Sequence, residues 1–93
     1  MKIFKQQENI FNAVNSMINH GVAVLEGTKT SATQYADRII MALKPYETVE
    51  PIIAYQNVPN HGYLYYLYDA NKFDVSSTQL KMLILLADAS NKI

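Results

Sequence analysis

The fold of this 93-residue chain depends on one stretch of its sequence, Tyr63-Leu64-Tyr65-Tyr66-Leu67-Tyr68. Tyrosine favours strands, but the stretch is also apolar enough to form a buried helix. Periodicity does not separate the two structures, because a short apolar run fits both. On a helix the four tyrosines point in different directions, since consecutive residues lie about 100° apart, so some rings must reach the surface. The neighbouring segments therefore have to decide the fold class.

Two segments before this stretch have helical patterns. Apolar residues recur every three or four positions over residues 4–25, which is the period of an amphipathic helix, although Gly21 favours a break there. A second helix is predicted to begin at Ser31, because its spacing to Gln34 is that of a capping box. Pro45 ends this helix, since proline disfavours the helical conformation at the residue before it.

A third helix is predicted with Thr48 as its candidate cap, Pro51 in its first turn, and Ile52, Ile53 and Tyr55 following. Residues 59–62, which contain proline and glycine, are then predicted to form a turn or a sharp kink. The last segment has a clear helix start, because Ser76 and Gln79 make a second capping box. Val75 before that cap and Leu80 after it have the spacing of a hydrophobic staple. The helix that follows is apolar nearly all round, which is typical of a buried or partner-binding helix.

Four helical segments predict an all-α fold, a small antiparallel four-helix bundle with a single domain over residues 1–93. The alternative is an α+β fold with short strands near residues 21–26 and 63–68. The residue patterns leave both folds open, because the apolar runs at these two places are too short to distinguish a strand from a helix.

Composition narrows the function classes. Hydrophobic residues make up 49% of the chain and the formal net charge is zero, with Arg38 as the only arginine. Nucleic-acid binders rely on clustered Lys and Arg, so no nucleic-acid partner is expected. The chain has no cysteine, no signal-peptide core and no apolar run near the roughly 20 residues that span a bilayer. A cytoplasmic protein without a transmembrane segment is predicted.

Catalytic and metal-binding patterns are missing from the sequence. His20 and His61 are the only histidines, and neither has a second ligand at helical spacing. Asp69 and Asp74 flank Lys72, but as solvated loop charges they need no catalytic explanation. We therefore expect no enzyme activity, no metal and no cofactor.

The junction between the third and fourth segments, Tyr63 to Leu80, resembles that of a known family. These are the enterocin A-type immunity proteins, which protect lactic acid bacteria against pediocin-like (class IIa) bacteriocins. The family has an apolar, aromatic third helix, a short Asn/Lys-containing turn and a Ser/Thr-capped fourth helix. Ile10-Phe11-Asn12-Ala13-Val14 and the helix around Ile39-Ile40 fall where its first two helices lie.

This resemblance implies a cytoplasmic, non-enzymatic protein that binds the bacteriocin-occupied sugar-phosphotransferase permease from inside the cell. Exposed tyrosine rings are favoured at protein interfaces, which supports a binding platform in the same region. The predicted partner-binding residues are Tyr63, Tyr65, Tyr66, Tyr68, Lys72 and Phe73. The alternative function is that of a small phage or mobile-element interaction protein that inhibits a host protein.

Overall fold

The computed structural model describes residues 3–5, 9–58 and 62–91. The elements in chain order are β1 (Ile3–Phe4), α1 (Ile10–His20), β2 (Val22–Leu25), α2 (Lys29–Leu43), β3 (Pro51–Val58), β4 (Gly62–Asp69) and α3 (Thr78–Asn91). The four strands form one sheet in the order β1-β2-β4-β3. β1 and β2 are parallel, and the two other neighbouring pairs are antiparallel.

The sheet lies between two helical layers. Successive side chains of a strand point to opposite faces, so each strand contributes to two cores. In β2, Ala23 and Leu25 belong to the core beneath α1 and α2, which we call the first core. Val22 and Val24 belong to the core beneath α3, the second core. The result is a three-layer α+β structure with the sheet in the middle.

The prediction of an all-α four-helix bundle is therefore wrong. Residues 21–26 and 63–68, the strand positions of the alternative α+β interpretation, overlap β2 and β4. The apolar run of β2 is buried on both faces because it lies inside the sheet, which explains why it lacks the alternation of a half-exposed strand. The segment before residue 59, predicted as helical, is strand β3, which pairs with β4 along its whole length.

The first helix is shorter than the apolar stripe over residues 4–25 indicated. It begins after Asn9, whose side chain accepts a hydrogen bond from the Phe11 N–H, and ends at His20. Gly21 follows in the left-handed conformation, with φ of 77°, and its N–H donates to the Met17 carbonyl. The break expected at Gly21 is therefore the point where the helix gives way to β2.

The predicted capping residues are displaced by one to three positions. α2 begins at Lys29, and its capping box joins Thr28 to Ser31, so Ser31 is the third helical residue and not the cap. α3 begins at Thr78, and the Ser77 hydroxyl accepts from the Leu80 N–H at 3.3 Å, which makes Ser77 and not Ser76 the capping side chain. α2 ends at Leu43, shortly before Pro45 as predicted. Within the described residues no helix is both long and apolar enough to cross a membrane.

Gly21 gives a stability prediction. A Cβ at this position would lie 2.9 Å from both Lys72 Cδ and Phe73 Cε2, and the backbone is left-handed. We expect Gly21→Ala to lower the free energy of unfolding by about 2 kcal/mol, through backbone strain and the steric clash together. The matched control is Gly62→Ala, where φ is also positive but no described residue lies within 4 Å, so only strain of about 1 kcal/mol remains. Urea denaturation of both variants measures the difference, and equal losses would contradict the close packing at Gly21.

Candidate partner-binding site

The hairpin of β3 and β4 divides the four predicted tyrosines between the two faces of the sheet. Tyr66 and Tyr68 point into the second core, where both are buried and their ring centroids lie 6.1 Å apart. Burial raises the pKa of the Tyr66 hydroxyl above its usual range, and the neighbouring Tyr68 adds to this rise. These two predicted binding residues are therefore core residues beneath α3, inaccessible to a partner in this structure.

Tyr63 and Tyr65 lie on the opposite face, together with Tyr55 of β3. The Tyr55 and Tyr63 rings meet edge to face, with centroids 5.2 Å apart, and Tyr55 lies 6.0 Å from Tyr65. Tyr55 is 62% exposed and Tyr63 is 56% exposed, while Tyr65 is half-buried against the first core. We call Tyr55, Tyr63 and Tyr65 the tyrosine cluster.

The sequence did not indicate Tyr55 as a site residue, because its segment was predicted as helical. The antiparallel register places Tyr55 directly opposite Tyr65. Asn57, two residues further along β3, lies opposite Tyr63, so Tyr63 is a diagonal neighbour of Tyr55. Directly opposed and diagonal residues on one face of an antiparallel pair are close enough for aromatic rings to touch. A hairpin assignment for residues 51–69 would have brought Tyr55 into the cluster.

Lys72 and Phe73 are not part of the cluster. They lie in the turn after Asp69, at the opposite end of β4 from Tyr63, a separation of about 20 Å along a strand. Both side chains cover Gly21, and the Lys72 ammonium donates to the Ile18 carbonyl at 3.4 Å. Lys72 and Phe73 therefore pack at the junction of α1 and β2, away from the tyrosine cluster.

A cavity of about 310 Å³ opens beside Tyr63, where β1 and β2 end. Its walls are formed by Ile3, Lys5, Leu25, Glu26, Gly27, Tyr63 and Leu64. Ile3, Leu25 and Leu64 are buried, so the exposed walls of the cavity are those of Lys5, Glu26, Gly27 and Tyr63. The cavity therefore places an aromatic ring beside two side chains of opposite charge.

A larger, more open groove of about 430 Å³ lies along the polar side of α1. Asn12, Asn15, Asn19 and His20 contribute polar side chains to it, and the Ser16 hydroxyl donates to the Val22 carbonyl at 2.6 Å. These side chains follow one another at helical spacing, as expected for the solvated face of an amphipathic helix. Phe4 and Leu83 add apolar surface, so the groove combines hydrogen-bonding and apolar groups, and the described residues that line it include no Asp, Glu, Lys or Arg.

The loop carboxylates have separate roles. Asp69 is buried and its Oδ1 accepts from the N–H groups of Glu50 and Asn71, so it joins the two ends of the hairpin strands. Asp74 is exposed, and hydrogen bonds from the Ser76 hydroxyl and the Ser76 N–H lower the pKa of its carboxyl group. The carboxylates on either side of Lys72 therefore both accept hydrogen bonds from neighbouring loop residues.

No group of three or more potential metal ligands comes together within the described residues, and His61 lies outside them. The tyrosine cluster and its adjoining cavity therefore form the candidate site. Comparison with protein-family models, with curated proteins and with solved structures finds no match to this chain.

Proposed function

We propose that this chain is a non-enzymatic binding domain whose tyrosine cluster contacts a protein partner. The observation that carries the proposal is that the Tyr55 ring contacts both Tyr63 and Tyr65 on the adjacent strand, while Tyr55 and Tyr63 remain mostly exposed. Tyrosine is enriched at the energetically dominant positions of protein interfaces, because its ring buries a large apolar area and its hydroxyl still forms a hydrogen bond.

The two strands and the first core hold the tyrosine cluster in a fixed arrangement, which favours binding. Its members project from two hydrogen-bonded strands, and Tyr65 is packed against the first core. The edge-to-face contact between Tyr55 and Tyr63 restricts both rings before any partner arrives. A surface that is ordered in advance loses less side-chain entropy on association, which favours affinity.

The adjoining cavity defines the chemistry of the partner. The exposed Tyr63 ring supplies the apolar contact beside the cavity, so the complementary group is an apolar or aromatic side chain that packs against Tyr63. Lys5 and Glu26 at the edge provide one donor and one acceptor of opposite charge for polar groups around that anchor. The partner is therefore a protein with a protruding apolar anchor within a polar surround.

Both functions considered from the sequence belong to this class. A bacteriocin immunity protein binds a permease complex, and a phage interaction protein binds a host protein. The four-helix bundle that supported the first is not the fold of this chain. The tyrosine cluster therefore carries the proposal, and crosslinking from its residues identifies the partner directly.

The test places a photo-crosslinking amino acid at position 55 or 63 in cells that naturally produce the protein, with position 11 as the control. Phe11 is 67% exposed on α1 and lies outside the cluster and its cavity. We expect one protein to be crosslinked from positions 55 and 63 and not from position 11. With that protein purified, calorimetry should show that Tyr63→Ala weakens binding about 30-fold or more, whereas Phe11→Ala changes it less than about threefold.

Two results would contradict the proposal. One is a partner that crosslinks from position 11 as well as it does from the cluster. The other is a Tyr63→Ala variant that binds the purified partner with unchanged affinity. Because Tyr63 is mostly exposed, the thermal unfolding of the variant should match that of the parent protein, so loss of binding is not loss of folding.

A further inference from the structure

Strand β3 forms one edge of the sheet and pairs only with β4 among the described strands. Two hydrogen bonds at the end of β4 show in which direction the backbone N–H and C=O groups of β3 point. The Asp69 N–H donates to the Gly21 carbonyl on the β2 side at 2.8 Å, and the Ala70 N–H donates to the Glu50 carbonyl on the β3 side at 2.9 Å. The backbone N–H and C=O groups of odd-numbered residues in β4 therefore point towards β2, and those of even-numbered residues point towards β3.

The register between β3 and β4 joins residues of the same parity, such as Ile52 with Tyr68 and Ala54 with Tyr66. The even-numbered residues of β3 are consequently bonded to β4. The odd-numbered residues Ile53, Tyr55 and Asn57 point their N–H and C=O groups away from the sheet. These three residues form what we call the open edge.

The open edge lacks the features that normally protect an edge strand. Proteins discourage edge pairing with charged side chains, bulges and prolines within the strand. β3 contains no charged residue, its pairing with β4 is continuous without a bulge, and its proline is the first residue. An eight-residue strand of this kind is a template for pairing with another strand.

We propose that a second copy of this chain occupies the open edge, with β3 antiparallel to β3 about a two-fold axis at Tyr55. In this register Ile53 pairs with Asn57 of the second copy, and Tyr55 pairs with Tyr55 of the second copy. Ile53, Tyr55 and Asn57 of one copy then lie opposite Asn57, Tyr55 and Ile53 of the other. Each of their outward-pointing N–H and C=O groups therefore obtains a partner.

The charge of the strand favours a second copy as the occupant. A two-fold axis at Tyr55 places this residue opposite itself in the second copy, so a charge at position 55 would meet a like charge. Residues 51–58 carry none, and the whole chain has eight basic and eight acidic residues. Self-association therefore meets no electrostatic repulsion at the contact.

The pairing also extends the site described above. A two-fold axis between antiparallel strands is perpendicular to the sheet, so both tyrosine clusters lie on the same side. The two Tyr55 residues face each other with Cα atoms about 5.5 Å apart, close enough for aromatic contact. The partner of the proposed function would then meet one continuous aromatic face. Self-association itself does not depend on that function and is measured on the isolated chain.

Sedimentation equilibrium of the full chain tests the proposal. We expect a reversible monomer–dimer equilibrium for the wild type. Tyr55→Lys and Tyr55→Glu should each weaken dimerisation about 30-fold or more, since each places like charges across the axis and removes a central aromatic ring. An equimolar mixture of the two variants should restore the dimer, because Lys then faces Glu. Met82→Lys, at an exposed position on α3, is the matched control and should leave dimerisation unchanged.

A wild-type protein that stays monomeric up to about 1 mM would overturn the proposal. A mixture of the two charged variants that remains monomeric would overturn the pairing at Tyr55. Loss of the dimer in Met82→Lys would place the contact on α3 instead. Circular dichroism of each variant confirms folding, and Tyr63→Ala binding to the purified partner tests the proposed function separately, so failure of one does not imply failure of the other.

Discussion

Replacing Ile84 by alanine is expected to lower the free energy of unfolding by about 2–5 kcal/mol. Ile84 is completely buried in the second core, with Leu80 one turn before it and Ala87 one turn after it. The substitution removes three carbon atoms from a packed region and leaves a cavity that the sheet above cannot fill, because its central strands β2 and β4 are hydrogen-bonded to a neighbour on both sides. Urea denaturation followed by far-UV circular dichroism measures the loss.

The matched control is Met82→Ala on the same helix. Met82 is 58% exposed, so its replacement should change stability by less than about 0.5 kcal/mol. Helix propensity does not confuse the comparison, since both variants introduce the same residue into the interior of α3. Equal losses in the two variants would mean that α3 does not pack on the sheet through the face that carries Ile84.

Replacing Asp69 by alanine is expected to cost about 3 kcal/mol. Its Oδ1 accepts from the Glu50 N–H at 3.0 Å and from the Asn71 N–H at 2.9 Å, and the residue is almost completely buried. Alanine leaves both donors without this acceptor, and an unsatisfied buried donor costs about 1–3 kcal/mol. Thermal unfolding monitored by calorimetry at neutral pH measures the change.

The control for this prediction is Asp69→Asn, which keeps an acceptor oxygen at the same place. It should cost less than half of what alanine costs, because the amide oxygen can accept from the same two N–H groups. If asparagine is as destabilising as alanine, the negative charge and not the acceptor geometry makes Asp69 important. Hydrogen exchange at Glu50 and Asn71 should increase in the alanine variant, since their donors lose a protected bond.

The helices of this protein were largely readable from local sequence. The apolar stripe over residues 4–25 contains α1, Gly21 marks its end, and Pro45 lies just beyond the end of α2. Local signals are sufficient here because a helix satisfies its own backbone hydrogen bonds within the segment. The exact caps were harder to place, since Thr28 and Ser31 accept from each other's N–H groups in one capping box, and Ser76 and Ser77 are adjacent residues of the same type.

The tyrosine stretch shows where local signals fail. Tyr63-Leu64-Tyr65-Tyr66-Leu67-Tyr68 carries apolar side chains on both faces because β4 is an interior strand between two helical layers. It therefore lacks the alternation that identifies a half-exposed strand and resembles a buried helix instead. Its role as a strand depends on β2 and β3, which supply its hydrogen-bond partners from distant parts of the chain.

The sequence by itself indicated a tyrosine-rich stretch as the candidate site, since it contains no recognisable catalytic or metal-binding pattern. Only the tertiary structure decided which tyrosines belong together. Strand register buried Tyr66 and Tyr68 beneath α3 and placed Tyr55 beside Tyr63 and Tyr65 on the other face. The physical reason is that side chains on a strand alternate between faces, so a shift of one residue in pairing exchanges every buried ring for an exposed one. That register is set by contacts between distant segments, which local sequence patterns do not contain.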